Sequence, residues 1–404
     1  MFAACANLTS FASDMSSLTD GTEMFYNCTA LTSFTSDLSS LTRGGKMFYN
    51  CTALTSFTSD LSSLGNGEGM FAYCDNFTTI TSDLSSLTDG GYMFAYCDNL
   101  SEFDTDLPSL RDGSYMFGWC PQLESFSSNL SSLQTGYWMF HGSKLTSFSS
   151  NLSSLYSAEN MFSSCDNLTS FSSDLSSLTN GNSMFDGCDN LTSFTSNLSS
   201  LTNGNSMFDG CTNLKSFSSD LSSLTNGNSM FSGCSSLTSF SSDLSSLTDG
   251  GYMFRYCKLD TASIKNIAET IKTVTNSPSI SIGIANSSPS EEENTYFTLI
   301  HNKGWRAYVN GSSSSYVPAP PPSPYVSLDE TGESTSTPIP FWAKPEPATE
   351  DTAKYIDENG NFFNILGGQF IYVDDPDTYG MFTCEEDAAA NMRLTPYIKP
   401  IENQ

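Results

Sequence analysis

Six large aromatic residues recur at a fixed interval. Tyr73, Tyr96 and Trp119 are evenly spaced along the chain, and Tyr92, Tyr115 and Trp138 repeat the same interval four positions earlier in the period. Rings with polar tips at such a spacing can present one apolar strip edged with hydroxyl and indole donors, which suits a glycan or a protein partner. If the intervening stretch is a helical turn, the two columns lie side by side and form one exposed stripe, with Tyr137 at its edge. The bland alternative is that the rings merely pack on one another.

Other residues with chemical potential recur too. Asp14, Asp37, Asp60, Asp83, Asp106, Asp174, Asp220 and Asp243 share one repeat position, where Asn129, Asn151 and Asn197 also occur. A carboxylate row can bind calcium. Free exchange with Asn points instead to a cap over the following Leu-Ser-Ser-Leu, a task both side chains perform. Of the 12 cysteines, all but Cys384 fall at one position, from Cys5 to Cys257. That regularity lacks the CxxC spacing of zinc sites and reads as a ladder of small buried thiols. The two histidines, His141 and His301, have no matching metal ligands. His141 is expected at the surface, beside a one-residue deletion. Serines are too common for any Ser–His pairing to carry weight, and no phosphate loop is present. The sequence therefore implies no catalytic residue, no metal and no cofactor.

The element that positions these columns is a repeat. Met-Phe recurs at Met1, Met24, Met47, Met70, Met93, Met116, Met139, Met161, Met184, Met207, Met230 and Met253. The steps are equal throughout, except that the one after Met139 is shorter by a single position. In the unit from Met184 the apolar positions are Met184, Phe185, Cys188, Leu191, Phe194, Leu198 and Leu201. Their spacing fits neither one helix nor one strand. It fits a coil that turns several times and points all seven inward, burying them only when coils stack. Eleven coils at strand spacing would extend roughly 50 Å. A glycine recurs from Gly21 to Gly250, replaced by Ala158 in the short unit, and is expected to supply a positive φ at a turn. The expected fold is a repeat solenoid, mainly β and irregular.

Read from Leu237, the unit carries Leu237, Phe240, Leu244, Leu247, Gly250 and Met253-Phe254-x-x-Cys257. In this phase it resembles the BspA-type leucine-rich repeat, with its 23-residue unit, Leu-rich strand, Gly turn and Phe-x-x-Cys segment. It has Phe and Ser where that family favours Ile, and Asp where it often has Pro. The resemblance covers residues 1 to about 257. It implies an extracellular or surface-exposed protein that binds or adheres; similar repeats also occur in bacteriophage tail-associated proteins.

After Cys257 the period breaks. Thr261 to Val274 has helical spacing, Ile280, Ile282 and Ile284 alternate as in a strand, Ser290 with Glu293 opens a second helix, and Trp305 to Val309 alternate again. This predicts a helix–strand–helix–strand cap over 258–311. Residues 312–350, with Pro318, Pro320, Pro321, Pro322 and Pro324, read as an extended linker. Residues 351–404 read as a small β-hairpin module, with Phe362–Leu366 pairing with Gln369–Val373 across Gly367-Gly368 and a short helix over Glu385–Met392.

The chain of 404 residues has a formal net charge of −29. That acidity argues against nucleic acid and anionic membrane surfaces. No run of about 18 apolar residues is present to span a membrane, and no basic leader precedes Met1-Phe2. Met1 falls on the repeat's own Met. This predicts a fragment, or a first coil that self-associates through its open end; the C-terminal module is a second candidate for self-association. The expected function is non-enzymatic binding or adhesion to a protein or glycan at a cell surface, through Tyr73, Tyr92, Tyr96, Tyr115, Trp119 and Trp138. The alternative is a virion tail or fibre component contacting a bacterial surface.

Overall fold

The computed structural model describes residues 2–318 throughout and, beyond them, six short strands between Glu346 and Pro396. Met1–Pro318 and Ala319–Gln404 are two compact units. The first is a β-solenoid. Each coil but one, from Ser10–Phe11 to Ser239–Phe240, contributes a two-residue strand. They pair in parallel two by two, one period apart, as Ser56 with Thr79 and Phe57 with Ile80. A second ladder of single bridges runs from Asp20–Arg43 to Asn226–Asp249. A third joins the Met-Phe segments, where the Phe208 N–H donates to the Met230 carbonyl at 2.8 Å. Donors thus run both ways along the stack, the Phe208 N–H to the following coil and the Thr32 and Thr42 N–H groups to the preceding one, so that neighbouring coils satisfy one another's backbone.

The strands are short because a polar side chain turns the chain immediately after them. Asp37 accepts the Ser39 N–H at 2.8 Å, and Leu41 N–H closes the turn onto the Leu38 carbonyl. Asn129, Asn151 and Asn197 make the same bond to Ser131, Ser153 and Ser199. The recurring acid is thus a turn cap, and the capped element is one β-turn where the sequence implied a turn of helix.

Inside, Met184, Phe185, Cys188, Leu191, Phe194, Leu198 and Leu201 are all buried, and the pattern repeats coil after coil. One phenylalanine column, including Phe94, Phe117 and Phe140, stacks ring on ring at 5.5 Å. A second, including Phe103 and Phe126, meets it edge to face. The thiols from Cys28 to Cys257 are free and buried. Each donates to a phenylalanine carbonyl of the preceding coil, as Cys97 to Phe71 at 3.2 Å. Burial pushes Cys51, Cys120 and Cys165 up to about 12, so these are inert packing groups. Ser143 fills the gap in the ladder, its hydroxyl 3.3 Å from the Cys165 sulfur.

The glycine column departs from expectation. None of its members, Gly21 through Gly250, adopts a positive φ. The constraint is crowding: a Cβ on Gly44 would lie 3.0 Å from the Met70 sulfur, and on Gly113 2.9 Å from that of Met139. The methionine of the following coil occupies the space that a side chain would need.

The last coil widens into the strand Gly250–Leu259, which pairs in parallel with Ser279–Ile284, itself parallel to Arg306–Val309. Two helices connect them, α1 (Thr261–Thr270) and α2 (Glu291–Asn302). Asp260 caps α1, and Ser290 with Glu293 forms the expected capping box of α2. α1 stops at Thr270, before the apolar spacing ends at Val274, because the Val274 N–H goes to the Lys303 carbonyl instead. The Phe240 N–H donates to the Ser263 hydroxyl, and the Asn266 amide donates to the Ser242 carbonyl, so α1 satisfies groups of the final coil.

In the second unit, Phe362–Asn364 pairs antiparallel with Glu346–Pro347 and Tyr355–Ile356, while Phe370–Tyr372 pairs with Gly380–Phe382. The hairpin expected across Gly367-Gly368 is therefore not formed; its two arms lie in different sheets. The Asp-Asp-Pro-Asp run at 374–377 is as strong a turn signal as the glycine pair. The strand Glu346–Pro347 falls within the expected linker, whose residues 319–345 lie outside the described residues, as does the helix expected over Glu385–Met392.

Candidate functional site: an aromatic ridge

The Met-Phe segment of each coil crosses the surface in consecutive turns, and two residues per coil adopt the left-handed conformation. In one column these are Glu23, Lys46, Gly69, Tyr92, Tyr115, Trp138, Asn160, Ser183, Ser206, Ser229 and Tyr252. Four positions on in the period lies a second column, which includes Asn50, Tyr73, Tyr96, Trp119, Gly142, Gly187, Gly210, Gly233 and Tyr256. All six aromatics singled out in the sequence occupy these columns, with φ between 54° and 60°. Their side-by-side placement follows from this paired left-handed geometry and not from helical spacing. The backbone is otherwise satisfied, since the Tyr96 N–H donates to Gly118 and the Trp119 N–H to His141, both at 3.0 Å.

The rings stack along the solenoid. Tyr73 and Tyr96 are 4.5 Å apart at 7°, Tyr96 and Trp119 4.9 Å at 3°, and Tyr92 and Tyr115 4.4 Å at 9°. These separations match the roughly 4.8 Å between neighbouring strands. The two columns also interleave, with Tyr115 6.0 Å from Trp119 and Trp119 5.8 Å from Trp138, near parallel. Ala72, Ala95 and Gly118 lie buried between them. The product is a ridge whose ring faces cover one another, with Tyr73 and Tyr92 exposed and Tyr96, Tyr115, Trp119 and Trp138 half-buried. Burial raises the Tyr92 and Tyr96 phenols and neighbouring hydroxyls raise them further, so both remain protonated donors at neutral pH. Tyr137, expected at the edge, is half-buried, and its hydroxyl accepts from the Ser157 hydroxyl at 3.2 Å.

His141 closes one end. It stands edge-on to Trp138 at 4.5 Å and to Trp119 at 5.1 Å. Its Nδ1 is buried without a side-chain or backbone partner, and burial lowers its pKa below the ordinary value, which favours the neutral ring. The histidine expected at the surface is thus an end-plate of the stack. The opposite end is open: Tyr49 meets Tyr73 at a 52° tilt, and Gly69 stands where a further ring of the Tyr92 column would be. A groove of about 330 Å³ lies there.

Sequence inspection missed a second cluster in the same columns. Tyr252 and Tyr256 are both more than half exposed, and the Arg255 guanidinium lies over them at 5.3 and 4.5 Å. Following each column to its last coil would have found it. Between the ridge and this cluster the columns carry Asn160, then Ser and Gly, with Asp186 and Asp209 half-buried on successive coils. Among the described residues no group of three or more His, Cys, Asp or Glu is placed to hold a metal ion, and no helix is long and apolar enough to cross a membrane.

A family model described as BspA type leucine-rich repeat region matches six copies, over residues 1–112, 90–199 and 158–282. Similar solved structures include a leucine-rich repeat protein from Bacteroides ovatus, 21% identical, covering 75% of this chain and 85% of that one with a TM-score of 0.39. One from Eubacterium ventriosum is 16% identical, covering 75% and 87%, with a TM-score of 0.32. A leucine-rich cell surface protein from Faecalibacterium prausnitzii is 19% identical, covering 52% and 79%, with a TM-score of 0.26. No curated protein matches the chain. Nothing in the family description or these names points to a virion.

Proposed function

This chain belongs to the BspA-type leucine-rich-repeat family, and we propose that it is a non-enzymatic binding protein whose aromatic ridge docks a partner outside the cell. The observation that carries this reading is a choice of residue. The same two left-handed columns hold Ser or Gly in the coils from Asn182 to Ser235, and Tyr or Trp at the ridge. A non-glycine residue in that conformation costs on the order of 1 kcal/mol. Six aromatic residues placed there give a rigid, partly exposed surface with few rotamers left to freeze on binding, the property that makes Tyr and Trp binding anchors. The surface location draws on the family and on the printed description of the Faecalibacterium protein.

The test is the double substitution Tyr96→Ala with Trp119→Ala, assayed on a printed array of surface glycans and extracellular-matrix proteins. Loss of about 2 kcal/mol or more, roughly thirtyfold in affinity, is expected for spots the unaltered protein binds. Far-UV circular dichroism should be unchanged, because both side chains lie outside the core. Undiminished binding by the double variant would remove the ridge from the function.

A further inference from the structure

We propose that the open end of the ridge is a sugar-binding subsite, in which one neutral pyranose ring seats against the face of Tyr92 over Gly69. The inference rests on the ridge being the docking surface and names the ligand class that its open end takes.

Ring stacking decides where a flat ligand can sit. Tyr96 and Tyr115 have neighbours on both faces. Trp119 and Trp138 are closed on one side by tyrosines and by His141 edge-on. Tyr73 meets the tilted Tyr49. Tyr92 is stacked on Tyr115 alone, and the preceding position in its column is Gly69, which has no ring to offer and is buried beneath the flexible Lys46 stem. Tyr92 is accordingly 42% exposed. A ring face is the electron-rich surface of an aromatic, and the polarised C–H bonds of a pyranose pack against it.

The rest of the groove supplies what hydroxyl groups need. Its lining includes Glu23, Lys46, Glu68, Gly69, Tyr73 and Tyr92. Glu23, Lys46 and Glu68 are exposed. The carboxylates accept from sugar hydroxyls, and the ammonium donates to ring or hydroxyl oxygens. The Lys46 stem crosses Gly69, its Cγ 3.2 Å from where a Cβ would stand, and forms the floor. At about 330 Å³ the space is near the lower end of small-molecule sites, roughly 300–1,000 Å³. Charged walls disfavour an apolar side chain. The Lys46 ammonium in the floor disfavours a cationic one, which two glutamates and an open ring face would otherwise attract.

The test uses methyl glucopyranoside, methyl galactopyranoside and methyl mannopyranoside as probes, with tetralysine as the cationic competitor. Saturation-transfer NMR and tyrosine fluorescence titrations give the affinities. Gly69→Tyr adds one more ring to the column, at a φ of 60° that Tyr115 and Tyr92 already adopt within two degrees, displaces the flexible Lys46 stem, whose Cγ would lie 3.2 Å from the new Cβ, and covers the Tyr92 face. It should weaken sugar binding at least tenfold while leaving array binding by the rest of the ridge in place. Glu68→Gln is exposed and outside the core, and should weaken binding severalfold even if Gly69→Tyr fails to fold. Unaltered sugar binding by both variants overturns the proposal, as does binding of tetralysine with none of the glycosides. If no glycoside binds while array binding still depends on Tyr96 and Trp119, the subsite is wrong and the ridge stands. If sugar binding follows Gly69→Tyr but array binding ignores Tyr96 and Trp119, the ridge is wrong and the subsite stands.

Discussion

The coils of the ridge and the coils that follow them share one backbone and differ in what they hang on it. Tyr96 and Trp119 have φ of 60° and 57°; Gly187 and Gly210 have 72° and 75° at the same repeat position. The core beneath is the same in both, with Phe94, Phe117, Phe185 and Phe208 buried to 0% exposure. The glycine coils show what the backbone needs. The tyrosine and tryptophan coils show what was added despite it, and stacking at 4.4–4.9 Å is what offsets the strain. In a repeat protein this comparison separates scaffold from surface without reference to any second protein.

Three perturbations break or sharpen the contrast. The largest acts where the regions are alike. Phe117→Ala under the ridge and Phe208→Ala under the polar coils should each cost about 3–5 kcal/mol, read from urea denaturation by far-UV circular dichroism. A difference above roughly 1 kcal/mol between them would mean that the outer rings also hold the core together.

The second moves one surface onto the other. A Cβ on Gly187 or Gly210 would meet backbone of the preceding coil at 3.8 and 3.6 Å, ordinary contact distances. Gly187→Tyr and Gly210→Tyr should each cost about 1 kcal/mol singly. Together they should cost less than their sum by about 0.5–1.5 kcal/mol, because the new rings stack. Strict additivity in a double-mutant cycle would refute stacking as the compensation.

The smallest effect belongs to the polar coils alone. Burial, and then the neighbouring Asp209, push the Asp186 carboxyl up to about 6. The folded value lies above the ordinary 3.8, so folding favours the protonated form. Stability from this group is full below about pH 4 and is lost as the pH rises through 6. Asp186→Asn should therefore raise stability at pH 7.5 by on the order of 1 kcal/mol, a figure reduced for the half of the group that solvent reaches. It should change little at pH 4. An equal gain in thermal melts at both pH values would exclude the carboxylate as the cause.

Much of this architecture could be read from spacing. A near-constant period with the same seven apolar positions in each unit leaves little besides a stack of coils, and Asp exchanging with Asn identifies a cap. The two aromatic columns were legible for the same reason. What escaped was conformation within the coil. Glycine at one position implied positive φ, yet there it makes room for a methionine sulfur from the next coil, a contact far apart in sequence, as between Gly44 and Met70. The left-handed positions mix Tyr, Trp and Lys46, which give no such signal, with Asn50, Asn160, Gly187, Gly210 and Gly233, which do, and that second signal was overlooked. The open face of Tyr92 depends on which residue precedes it in its column, and the end-plate role of His141 on ring orientation. Neither is a property of any local stretch. In the C-terminal unit no period disciplines the reading, and two turn signals of similar strength led to the wrong strand pairing.

The shortened coil that begins at Met139 has a consequence for how the chain finds its alignment. In every other rung the thiol reaches a carbonyl 26 positions back, as Cys188 to Phe162; Cys165 reaches Phe140, 25 back. Near-identical units offer a collapsing chain many stacking partners of almost equal energy, the translational equivalent of a frustrated landscape. A single coil of different length, with Ser143 where its neighbours have Cys, breaks that equivalence. It gives an otherwise repetitive polymer an address, from which the remaining coils can be counted in both directions.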